Sequence, residues 1–217
     1  MDYLHWLAHQ VAFVVRANRS WMTWNLLLAV LPALLAVSLF LPTHRRTPAW
    51  WCRCAVFAAF LPNAPYVVTD LIHLRGDVSA APSRGVVLAG ILPLYAGFIL
   101  AGFLAYLVST ELILREVRSL RPGWSRLPVE LAIHLVCAVG VVLGRIARLN
   151  SWDTITSPRW TIESIFTTLT WRGAPVAVVA VFVAIVLTHG VTRSLVLSVG
   201  AGARRATRML RPLPAEA

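Results

Sequence analysis

Long apolar runs, separated by short arginine-bearing segments, dominate the hydropathy pattern of this chain. A helix needs about 20 mostly apolar residues to cross a bilayer, because lipid cannot satisfy backbone polar groups. Four stretches meet that length: residues 22–42, 86–109, 128–147 and 174–193. The pattern therefore predicts four transmembrane helices.

A fifth apolar stretch is interrupted. Residues 49–61 are too few to span alone, and they run into Pro62-Asn63-Ala64-Pro65 before an apolar pattern resumes at 66–72. Proline removes a helical hydrogen bond, and a proline in the first turn of a new helix is tolerated. We interpret this region as one transmembrane helix broken at Pro62–Pro65.

Other segments are too short or too polar to span. We expect residues 1–20 to lie as an interfacial N-terminal segment and residues 154–171 to form a second interfacial helix that roofs the polar residues of the nearby membrane face. Residues 200–217 form an arginine-rich tail. The prediction is a single all-α integral membrane domain, residues 1–217, with about five transmembrane helices plus interfacial helices.

Composition supports a membrane protein. Apolar residues make up 58% of the chain and charged residues 13%, which is too little polar material to cover a soluble globule. The net charge is +11. Because the arginines flank apolar runs, we expect contact with anionic lipid headgroups and no nucleic-acid binding.

Arginine placement also predicts an orientation. Three regions, at residues 45–53, 115–126 and 193–211, carry 12 of the 20 arginines. By the positive-inside rule these regions are cytoplasmic. We expect a multi-pass protein of the inner (cytoplasmic) membrane, with the N-terminus outside and the C-terminus inside.

The first candidate cluster lies at and after the break. Tyr66, Asp70 and His73 recur at helical spacing, as does Asp77, so they share one face. Ionisable groups beside apolar segments are costly and need a reason. Asn63 lies in the break itself. Transporters with broken helices bind ions and substrates at such breaks.

The second candidate cluster is Arg145, Arg148, Asn150 and Asp153, at the end of the 128–147 helix. The predicted topology places it on the same membrane face as Asp70. We expect an ion pair in which an arginine of this cluster binds Asp70 or Asp153. The alternative, in which these arginines only set the membrane topology, stays open.

Signals for a metal or cofactor are weak. Asp70 and His73 form a lone D-x-x-H pattern, so no metal site is predicted, and the cofactor is unknown. Glu130, His134 and His189 lie at the other membrane face, where we interpret them as an interhelical contact rather than a site. Familiar catalytic motifs are absent from the sequence.

Two motifs carry a family resemblance: L-P-N-A-P-Y-x-x-T-D-L-I-H-L at 61–74 and G-R-x-x-R-x-N-S-W-D at 144–153, preceded by W-N-L-x-L-A at 24–29. With them, residues 22–193 resemble a bacterial family of uncharacterised multi-pass membrane proteins, a domain of unknown function. The resemblance implies a membrane protein without an established activity or assigned residues.

Three functions are compatible with these patterns. The leading hypothesis is a small-solute or ion permease-like protein, working as a homodimer because five helices enclose little space. One alternative is a membrane enzyme that acts on a lipid-linked or envelope substrate. The other is an assembly protein whose polar motifs only lock helices together.

Overall fold

The computed structural model describes residues 2–41, 46–149 and 153–209, and this part of the chain is helical without strands. The long helices are α1 (Tyr3–Phe40), α2 (Pro48–Phe60), α6 (Leu92–Leu120), α7 (Arg126–Ile146), α9 (Pro158–Thr170) and α10 (Ala174–Met209). Shorter ones are α3 (Asn63–Tyr66), a 3₁₀ turn (Val67–Asp70), α4 (Leu71–Ala80), α5 (Arg84–Val86), a π turn (Val87–Ile91) and α8 (Asp153–Thr156).

The predicted all-α membrane bundle is confirmed. Five helical stretches are long and apolar enough to cross a membrane: Tyr3–Phe40, Pro48–Ala80, Arg84–Leu120, Arg126–Ile146 and Ala174–Arg204. Their outer faces expose large apolar side chains, such as Leu88 and Val176. A water-soluble monomer rarely shows so much contiguous apolar surface, so these faces suit contact with lipid tails.

The N-terminal region is continuous with the first predicted span. One 38-residue helix runs from Tyr3 to Phe40, about 57 Å long at the usual rise per residue, so the described part of the predicted N-terminal segment 1–20 belongs to the same helix. Gly90 allows this part to pack closely, since a Cβ there would lie 2.9 Å from Val11.

The broken helix is present, and its neighbours hold it tightly. After α2, a turn at Leu61 and Pro62 leads into α3 and the 3₁₀ turn. A Cβ on Gly140 of α7 would lie 2.5 Å from Pro62, and one on Gly102 of α6 would lie 2.6 Å from Val67. The break thus packs directly against the backbones of α6 and α7, at two positions where a larger residue than glycine would collide.

The chain after α7 includes an amphipathic helix with an unusual arrangement. In α9, Thr161 and Thr168 are buried, whereas Ile162 and Phe166 are exposed. The threonine hydroxyls are accommodated by helical back-bonding, as in the bond from Thr161 to Ser157 O. The outward apolar face is typical of a helix that contacts lipid.

Candidate functional site

An ion pair between Asp70 and Arg145 joins the two predicted clusters. Arg145 Nη1 lies 3.3 Å from Asp70 Oδ1, and the Asp70 side chain is only 1% exposed. The expected pairing of Asp70 with an arginine of the second cluster is therefore confirmed. Loss of Arg145 is the costly change, because the buried Asp70 carboxylate would then lack both solvent and a counter-charge.

Arg145 also fixes the backbone and side chain of the break. Its Nη1 donates to Tyr66 Oη at 3.0 Å, and its Nη2 donates to the carbonyl oxygen of Thr69 at 2.9 Å. The guanidinium carbon lies 5.3 Å from the centre of the Tyr66 ring, within cation–π range. One arginine thus connects the end of α7 to α3 and the 3₁₀ turn.

Helix α1 holds the two acidic residues of the 70–77 segment. Asn25 Nδ2 donates to Asp70 Oδ2 at 2.8 Å, and Asn18 Nδ2 donates to Asp77 Oδ2 at 2.8 Å. Tyr95 of α6 donates a further bond, of 3.0 Å, to Asp77 Oδ2. Since both asparagines and both aspartates are seven residues apart, two antiparallel segments meet in matching register.

Other predicted site residues lie at the margin. The His73 ring packs on Trp21, with ring centres 4.9 Å apart, and is otherwise exposed. Arg148 is exposed and has a left-handed backbone, φ 54°, just after α7. Asp153 begins α8. Asn150 lies outside the described residues, as do its neighbours Ser151 and Trp152.

A cavity of about 250 Å³ lies beside this ion pair. It is lined by Trp24, Asn25, Leu28, Ala59, Pro62, Asn63, Tyr66, Gly140, Leu143, Gly144, Leu149, Thr161 and Ile165. Residues from the break and from α7 form its walls, and Thr161 and Ile165 of α9 form another side. The predicted site residues Asn63 and Tyr66 therefore share one cavity.

The ion pair positions the cavity wall rather than lining it. Asp70 binds Asn25, and Arg145 binds Tyr66, and it is Asn25 and Tyr66 that line the cavity. Arginine can only donate, so Tyr66 Oη accepts from it and keeps its own hydroxyl hydrogen for another partner. Asn25 donates to Asp70 through Nδ2, so its Oδ1 can accept a hydrogen bond from a ligand. The wall thus presents a donor and an acceptor.

A second polar cluster lies at the opposite end of α7, where Glu130 is about 22 Å from Arg145 at the usual helical rise. Arg126 Nε donates to Glu130 Oε2 at 2.9 Å, and the same guanidinium binds Glu111 of α6 with two bonds. His189 Nδ1 lies 3.3 Å from Glu130 Oε1. The expected interhelical contact of Glu130, His134 and His189 is present.

Comparison with known proteins assigns the chain to a family. The model of the family described as "Protein of unknown function (DUF1361)" matches residues 24–188. The chain belongs to the DUF1361 family. The matched region of this DUF1361 protein includes the cavity residues, Asp70 and Arg145, and it ends one residue before His189. Neither the curated proteins nor the solved structures contain a match.

Sequence reasoning missed three polar residues of the DUF1361 site: Asn18, Asn25 and Tyr95. A signal for two of them exists, because asparagine is costly inside an apolar helix and the seven-residue spacing of Asn18 and Asn25 repeats that of Asp70 and Asp77. Tyr95 carries no such signal. Only the packing of α6 against α1 brings its hydroxyl to Asp77.

Proposed function

We propose that this multi-pass DUF1361 protein is a permease-like protein that binds a small, uncharged polar solute in the cavity at the helix break. The observation that carries the proposal is the cavity itself, about 250 Å³, with Asn25, Asn63 and Tyr66 in its wall. Broken membrane helices commonly surround solute sites because their irregular backbone is tolerated only next to protein or a cavity.

The size of the cavity favours a small ligand. Water occupies about 30 Å³ per molecule in the liquid, and pockets for drug-sized ligands begin at about 300 Å³. A cavity of about 250 Å³ therefore suits a solute of a few heavy atoms, such as a short polyol or urea, rather than a lipid-linked sugar.

The charges favour an uncharged ligand. Asp70 accepts from Asn25 through one oxygen and from Arg145 through the other, so the carboxylate and guanidinium neutralise each other. The wall offers a ligand the hydrogen of the Tyr66 hydroxyl and the amide oxygen of Asn25. These groups match a molecule that both donates and accepts hydrogen bonds.

The test is solute flux into vesicles. Purified protein is reconstituted into liposomes, and stopped-flow light scattering follows reswelling after a jump in glycerol, urea or xylitol. We expect at least one probe to enter several-fold faster than in protein-free vesicles. Tyr66→Phe removes the donor and should cut that flux several-fold, whereas Gly190→Ala, in open space on α10, should not. Rates equal to empty vesicles for all three probes would contradict the proposal.

One observation favours a second candidate, a structural role for the motifs. Both oxygens of the buried Asp70 have protein partners, as a residue that only locks helices together would. In that case Asp70→Asn would reduce the amount of folded protein in the membrane. Tyr66→Phe would be without effect on any flux. The two variants together distinguish the candidates.

A further inference from the structure

Three ligand-type side chains converge at the end of α7 opposite the cavity. Glu130 and His134 are one helical turn apart on α7, and His189 comes from α10. One ligand atom from each lies within 4.8 Å of the others, and all three residues are buried. Because charged and polar groups are expensive in this setting, their convergence calls for a physical reason.

Each of the three side chains is oriented by a second partner. Tyr106 Oη lies 2.7 Å from His134 Nδ1, and Thr110 Oγ1 lies 3.2 Å from His189 Nε2. Arg126 Nε donates to Glu130 Oε2 at 2.9 Å, which leaves Oε1 on the side of the histidines. In metal sites the non-ligating histidine nitrogen and the carboxylate are held in this way, which fixes ring orientation and tautomer.

The Thr110 hydroxyl is compatible with a metal-binding form of His189. Its Oγ1 lies 2.9 Å from the carbonyl oxygen of Tyr106 and 3.2 Å from His189 Nε2. When the hydroxyl donates to that carbonyl oxygen it accepts from His189 Nε2–H, and a neutral imidazole then has its lone pair on Nδ1. Nδ1 lies 3.3 Å from Glu130 Oε1, so both atoms could bind the same ion.

The distances fit a metal ion. In a tetrahedral zinc site with bonds of about 2.0–2.1 Å, neighbouring ligand atoms are about 3.3 Å apart. His189 Nδ1 and Glu130 Oε1 are separated by 3.3 Å, and His134 Nε2 lies 4.0 Å from the same oxygen. The three ligand atoms lie within 4.8 Å of one another, so the His134 ring would have to move toward the other two ligands when the ion binds.

Two carboxylates, one of them Glu130, and two arginines lie at this cluster. Arg126 is shared by Glu130 and Glu111, and Arg193 Nε lies 3.5 Å from Glu111. Two carboxylates thus face two guanidinium groups, and the histidines supply neutral nitrogen ligands. Two histidines and one glutamate form a ligand set that zinc uses when a fourth position is left for water.

We propose that Glu130, His134 and His189 bind one Zn²⁺ ion, through Oε1, Nε2 and Nδ1 respectively. The ion ties α7 to α10 at this end of the bundle, and Tyr106 and Thr110 orient the two histidines. This site is independent of the cavity near Asp70. The zinc proposal can therefore be tested independently of the proposed permease function.

The test measures zinc on the purified full-length protein without an affinity tag of histidines. Competing sites are removed first with Cys52→Ser, Cys54→Ser and His5→Gln, because the cysteine pair in α2 and the exposed His5 and His9 of α1 can bind zinc themselves. The protein is stripped with a chelator and titrated with Zn²⁺ against a fluorescent zinc indicator. We expect one ion per chain by elemental analysis.

The variants identify the ligands. His189→Gln and Glu130→Gln should weaken zinc binding at least 100-fold, and Tyr106→Phe should weaken it about 10-fold through the loss of orientation. His73→Gln, at the other membrane face, is the matched control and should leave affinity unchanged. Equal zinc binding by His189→Gln and the parent protein would overturn the proposal, as would a parent protein that binds no zinc.

A second readout does not depend on the folding of the ligand variants. Co²⁺ added to the stripped parent protein should give the intense visible absorption of a tetrahedral site, and Zn²⁺ should displace it. A weak spectrum typical of six-coordinate cobalt would contradict the four-coordinate geometry. Binding of neither ion would reject the metal site.

Discussion

Asn25 of α1 donates a 2.8 Å hydrogen bond to the buried carboxylate of Asp70. One heptad away, Asn18 makes the same contact with Asp77. The two contacts fix the register of α1 against the segment that follows the helix break. Because Asn25 also lines the cavity, the register of two helices decides the shape of the candidate site.

The Asp70–Arg145 pair should be strongly coupled. Arg145→Ala leaves the buried Asp70 without its counter-charge, and we expect it to lower the free energy of unfolding by about 3 kcal/mol. Asp70→Ala leaves Arg145, which is 28% exposed, so its loss should be smaller. The double variant should lose much less than the sum. A double-mutant cycle by steric trapping in bicelles measures the coupling. Strictly additive losses would show that the two charges do not interact.

Tyr95 should contribute one modest hydrogen bond. Tyr95→Phe removes one of the two donors to Asp77 that the structure describes, and the expected loss is about 1 kcal/mol. Thermal unfolding of the detergent-purified protein should show a lower Tm. Tyr3→Phe is the matched control, because the Tyr3 side chain is exposed, and its Tm should match the parent.

Gly140 should resist even the smallest side chain. A Cβ at this position would lie 2.5 Å from Pro62, so Gly140→Ala must push α7 away from the break, at a cost of about 1–3 kcal/mol. Gly97→Ala on α6 enters open space and should be neutral or stabilising, since alanine favours the helix. If both variants unfold at the same temperature, the close contact at Pro62 is not present.

We propose the orientation that the arginines predict, with the N-terminus outside. Single cysteines in a cysteine-free chain test it: Ser79→Cys lies at the end of α4, and Gly123→Cys lies in the exposed turn between α6 and α7. In intact cells an impermeant thiol reagent should label position 79 and not position 123. The reverse labelling would invert the topology.

The sequence by itself determined the helical membrane fold and the break at Pro62, and it predicted that Asp70 or Asp153 pairs with an arginine. These features follow from local rules, because spanning length, proline chemistry and the cost of a lone charge in lipid can be read along one segment. The heptad spacing of Asn18 and Asn25 was visible too. Its meaning was not, because the facing helix was unknown.

Only the tertiary structure decided how the segments meet. The close packing of α1 at Val11 needs the glycine at 90, far along the chain. The cavity wall combines residues of α1, the break, α7 and α9. His189 of α10 contacts Glu130 of α7. Such contacts depend on packing between distant segments, which no local pattern of hydrophobic and polar residues encodes.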